Sequence, residues 1–168
     1  MWACAKLGVV DAAFFDAVAA AAPSWMPAAG AAEVKQLVWS CSVLQFKHEQ
    51  LTAAALHRSL KLIRYHGRNQ LPASGKLGVA AVVGYAVASL DMQQMAGDVR
   101  ELVASTCVAH SHFIKPPDAG LLWEAHAWMV QHQLLDGQGL AGLLCEQQLA
   151  TGKTESEAHH AQQEQQQQ

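Results

Sequence analysis

Apolar and small residues recur along this chain at three- and four-residue steps, the period of helices with one face against a core. Within that period one pattern repeats: an aromatic, a small residue, any residue, a small residue, any residue, then a large apolar one. It appears as Trp2-Ala3-Cys4-Ala5-Lys6-Leu7, Trp39-Ser40-Cys41-Ser42-Val43-Leu44 and Tyr85-Ala86-Val87-Ala88-Ser89-Leu90, with a degraded copy in Trp123-Glu124-Ala125-His126-Ala127-Trp128. The intervals of 37, 46 and 38 residues match two helices and two short turns, the size of a helical-hairpin repeat. Small residues such as Ala86 and Ala88 would let a second helix approach closely, with Trp39, Tyr85 and Trp123 buried at equivalent positions between layers.

The elements follow from this pattern. A first helix ends near Gly8, and a second spans about 11–22, capped by Asp11 and stopped by Pro23. Helices at about 31–45 and 48–66 form the second hairpin, 76–90 and 93–110 the third, and 118–135 and 138–150 the fourth. From Thr151 the chain turns polar, and six of its last seven residues are Gln. Such a segment cannot bury enough apolar surface to offset the entropy of ordering. The expected fold is therefore all-α: an α-solenoid of about four stacked hairpins over residues 1–150, with a disordered tail over 151–168.

Composition sharpens this. Of 168 residues 31 are Ala and only one is Asn, which favours helix and leaves little turn chemistry for hairpins of strands. The uncharged run from Leu77 to Leu90 has 14 residues, short of the roughly 20 that a bilayer span needs, so no membrane is implied. Met1 leads directly into helical pattern with no basic leader, which reads as a cytosolic chain or a piece of a longer one. The four Cys (Cys4, Cys41, Cys107, Cys145) are far apart and read as small buried residues in a reducing compartment, not as a zinc site or disulfide framework.

Candidate chemistry is sparse. Gly137, Gly139 and Gly142 spell a dinucleotide fingerprint, but they follow a helical pattern and no strand, so they read as an interhelix turn. Thr151-Gly152-Lys153-Thr154 lacks the Gly a phosphate-binding loop needs, which here is Gln147. The nine His show no metal-ligand spacing. With no nucleophile elbow and no kinase motif set, neither enzyme, cofactor nor metal is implied.

Charge provides the one candidate site. The net charge is −3, yet residues 47–76 hold Lys47, Arg58, Lys61, Arg64, Arg68 and Lys76 against Glu49 alone. That window carries +5 and the rest of the chain −8. On a helix over 48–66, His57, Lys61, Arg64 and Arg68 share a different face from Leu56, Leu60 and Ile63 if the helix runs through Gly67. A cationic stripe beside Tyr65 and His66 suits a phosphate backbone and unstacked bases. Lys47, Arg58, Lys61, Arg64 and Arg68 are therefore the candidate RNA-binding residues.

The segments Trp2–Gly8 and Leu37–Leu44 resemble the L-x-W-A-x-A-x-L-G helical repeats of green-algal organellar proteins, the octotricopeptide-repeat and FAST-kinase-like proteins that carry a RAP domain. Leu121–Trp128 and Gly137–Leu149 are similar to the stretch that precedes that domain. The resemblance covers about residues 1–150 and is better to the FAST-like branch, since no Pro-Pro-Pro-Glu-Trp core is present. It implies an α-solenoid that binds single-stranded RNA in a chloroplast or mitochondrion, acting in transcript stability, processing or translation. The RAP domain has no counterpart here, so the chain reads as a fragment of such a protein. The alternative reading is a non-catalytic protein–protein scaffold, which the acidic balance favours.

Overall fold

The computed structural model describes residues 1–65, 70–110 and 114–166, with the side chains of 107–110 and 166 excepted. Among them are eight α-helices: α1 (Trp2–Leu7), α2 (Ala12–Trp25), α3 (Ala31–Val43), α4 (Glu49–Arg64), α5 (Ala73–Ser89), α6 (Ala96–His110), α7 (Pro116–Gln131) and α8 (Glu146–Gln166). The protein is all-α, and the only β pairing among the described residues is one isolated bridge, Ala141 with Leu144.

Local chemistry starts these helices where it should. The Asp11 carboxylate accepts from the Phe14 amide at 3.0 Å, and His48 Nδ1 accepts from the Leu51 amide at 3.2 Å; each satisfies a donor of the first turn that has no partner within the helix. Pro23 lies inside α2 and does not stop it. Only one turn remains beyond it, so little helix depends on the lost amide.

Packing follows an alternating order. The first helices touch in succession, α1 on α3, α3 on α5 and α5 on α7, while α2 packs on α4 and α4 on α6. A continuous core from Ala19 to Leu144 lies between the two sets. Small residues permit a close approach at Gly84, where a Cβ would stand 3.3 Å from Val99 Cγ1 and 3.5 Å from Ala125 Cβ. Ala86 is buried as well, but Ala88 is only half-buried.

Two expectations fail at the C-terminal end. The helix expected at 138–150 starts only at Glu146. Gly137, Gly139 and Gly142 all take positive φ, a backbone that helix cannot continue through. The segment expected to be a disordered tail is most of α8, a 21-residue helix that docks along α7. Its composition is polar, but Ala, Glu, Gln and Lys are good helix formers. Leu149, Gly152, Ser156 and His160 form one stripe along it. Ser156 Oγ donates to Glu124, and His160 Nε2 lies 2.8 Å from the same carboxylate oxygen. A Cβ on Gly152 would collide with the Ala119 carbonyl and stand 2.9 Å from Trp123 Cβ, so glycine is what lets the two helices meet.

Candidate nucleic-acid interface

The cationic helix forms as expected, but most of its charge is already engaged within the protein. Leu51, Ala55, Leu56 and Ile63 of α4 are buried, and His57, Lys61 and Arg64 are exposed on a different face. Lys47 Nζ donates to the Asp91 carbonyl at 2.8 Å. Arg58 Nε donates to the Ala29 carbonyl at 2.7 Å, bracing the α2–α3 connection against α4. Arg64 pairs with Glu101 of α6, both about half exposed. Lys61 has neither an ion pair nor a side-chain hydrogen bond among the described residues, and Tyr65 beside it is 53% exposed. Lys76 is buried, so it adds nothing to a surface stripe. Arg68 lies outside the described residues; α4 ends at Arg64 and Tyr65 is extended.

A second surface was not singled out by charge. The repeat aromatics are not buried between layers as expected. Trp39, Tyr85 and Trp123 are half-buried, and Trp2 is 49% exposed. Trp2 and Trp39 line a cleft of about 190 Å³ with Lys35, Gln36 and Val82, between α1, α3 and α5. Tyr85 lines another of about 200 Å³ with Ala88, Ser89, Glu124, Trp128 and His160, between α5, α7 and α8. Val82, Tyr85 and Ser89 are spaced as one helical stripe, so both clefts open along the same side of α5. The fourth aromatic on this side is Trp128; Trp123 instead packs beneath α8 at Gly152.

Electrostatics differ between the two clefts. At the first, Lys6 Nζ stands 5.8 Å from the Trp2 ring centre and 4.9 Å from that of Trp39, within cation–π range. Lys35 reaches over α5 at Gly78, where Asp118 of α7 arrives from the other side. Burial pushes the Asp118 carboxyl above its ordinary value, with Lys35 and Lys115 opposing the shift. At the second cleft the Glu124 carboxylate is tied to Ser156 and His160, and Trp128 Nε1 donates to Asp91 at 3.0 Å. That bond and a second from Gln93 hold the Asp91 carboxyl below its usual value.

Elsewhere the chemistry is structural. Burial pushes the Cys41 thiol up to about 12. Cys4 is half-buried and Cys145 is exposed, so the expectation of buried cysteines fails at these two; the side chain of Cys107 lies outside the described residues. Among the described residues no cluster of His, Cys, Asp and Glu could hold a metal ion, and no helix is long and apolar enough to cross a membrane. Comparison of the chain with protein-family models, with curated proteins and with solved structures gives no match.

Proposed function

We propose that this chain is a helical-repeat module that binds single-stranded RNA, its hairpins stacked as a short solenoid, and that it acts without catalysis in organellar transcript stability, processing or translation. The observation that carries the reading is a row of aromatic side chains beside two clefts on one side of the first-helix row: Trp2 is 49% exposed, Trp39 and Tyr85 are half-buried, and Trp128 is buried in the wall of the second cleft. Aromatic faces stack on any unstacked base, and at the first cleft Lys6 and Lys35 can donate to phosphate; together they make a sequence-tolerant single-strand platform. Lys61 and Arg64 on α4, with Tyr65 just past its end, offer a further phosphate contact. The assignment to chloroplast or mitochondrion rests on the resemblance of the repeats alone.

The test is a binding isotherm for a short unstructured RNA measured over a salt series. Log K should fall linearly with log salt, by about 0.7 for each phosphate neutralised on a single strand. Absent or salt-independent binding turns the assignment to a protein scaffold. One observation favours that second reading: Leu7 and Val10 are 76% and 68% exposed, with Val9 and Phe14 beside them in sequence, an apolar edge suited to another protein.

A further inference from the structure

We infer that the cleft formed by Trp2, Lys35, Gln36, Trp39 and Val82, with Lys6 over its two indole rings, is a single-nucleotide pocket, in which a base lies against the indoles and Lys6 and Lys35 hold its flanking phosphates. This rests on the RNA reading above and assigns its primary contact to α1 and α3, away from the α4 stripe that charge alone singles out.

Size sets the first limit. At about 190 Å³ the cleft is smaller than the roughly 300 Å³ at which drug-sized ligands begin, which suits one planar ring. Chemistry sets the second. Two indole faces supply stacking surface, and the exposed Gln36 amide offers a donor and an acceptor to a base edge. The Lys6 ammonium already sits at the rings, and it can turn to a phosphate because no acid is paired with it among the described residues. Lys35 has Asp118 as its nearby acid across Gly78. The occupant that complements stacked rings and two cations is flat, apolar on its faces and anionic at its edge. A nucleotide within a single strand meets all three conditions.

The second cleft does not compete for the same ligand. Its lining includes the Glu124 carboxylate, which repels phosphate, and its one basic neighbour, His160, is held by that carboxylate.

The experiment uses the full chain and a short oligouridine RNA carrying 5-iodouridine, which crosslinks to aromatic side chains under ultraviolet light. The crosslink should map to the peptide containing Trp39. Lys6→Gln with Lys35→Gln should lower the salt slope by about 1.4, two single-strand phosphate contacts, while circular dichroism and the melting midpoint stay as in wild type. Asp118→Asn should tighten binding by removing the acid nearest Lys35. If wild type binds RNA with a salt slope but the Lys6/Lys35 variant keeps that slope and Lys61→Gln loses it, the pocket assignment is overturned and the RNA reading stands. If wild type ignores the RNA at every salt concentration and takes up a glutamate–tyrosine copolymer through the same two lysines, both fail and the cleft docks an acidic protein.

Discussion

His126 accepts a hydrogen bond from the Leu140 amide at Nδ1, 3.0 Å away, and Gly139 is packed against the same nitrogen. Gly139 has φ +51° and no side chain, so the turn can fold onto the imidazole without a clash. Burial holds the His126 pKa below its ordinary value of 6.5. A folded pKa below the unfolded one means that the unfolded chain binds more protons in the interval. The stability this residue contributes is therefore complete above about pH 6.5 and is lost as pH falls through the lower, folded value. Thermal melts from pH 7.5 downward should show a falling midpoint that begins near 6.5, and His126→Gln should remove that component. Asp91, held below 3.8, acts in the same direction in a separate and more acidic window. Packing makes a second prediction at this scale. Ala86 is 1% exposed, so Ala86→Leu should overpack and cost on the order of 1–3 kcal/mol. Ala88 borders the second cleft, so Ala88→Leu can point into open space and should shift the melting midpoint far less.

At the scale of elements, α8 carries the clearest consequence. It is polar along most of its surface, and its attachment rests on the approach at Gly152, the Ser156–Glu124 bond and the cover it gives Ala119 and Trp123. Gly152→Leu would drive a side chain into the Ala119 carbonyl, so α8 must shift or detach. Such overpacking costs typically about 1–3 kcal/mol. Deleting 152–168 should lower the melting midpoint for the same reason, and equal midpoints for truncated and full chains would show that α8 contributes nothing. The position of α8 also bears on the clefts, since it brings His160 to Glu124 at the rim of the second.

Over the whole molecule, the charge pattern visible in sequence and the charge available at the surface are different quantities. The +5 window loses Lys76 to burial and engages Lys47, Arg58 and Arg64 in contacts with Asp91, Ala29 and Glu101. Lys6 and Lys35, outside that window, stand at the aromatic cleft. An exposed ion pair such as Arg64–Glu101 is worth about 0–1 kcal/mol, so it can open when a better anion arrives. Glu101→Gln should accordingly leave folding within about 0.5 kcal/mol while adding a cation for RNA. If α4 contributes at all, the RNA affinity of that variant rises at low salt; an unchanged affinity confines binding to α1 and α3.

The all-helical class, the helix starts at Asp11 and His48 and the presence of an interhelix turn at Gly137 are legible in the chain itself, because helix propensity, capping and left-handed glycine act over a few neighbouring residues; the extent of that turn, up to Glu146, is not. The exposed side of α4 is legible too, since a 3.6-residue period separates Leu56 and Ile63 from Lys61 and Arg64 without reference to anything distant. What lies between distant residues is not. Nothing local to Arg58 points to the Ala29 carbonyl, and nothing local to Trp128 says that it, and not Trp123, stands beside Tyr85. The fate of residues 151–166 turned on whether α7 offered a surface that a glycine-notched polar helix could reach. Those outcomes depend on contacts between residues roughly 30 or more positions apart, and burial, ion pairing and cleft formation are properties of such pairs, decided only when the helices pack.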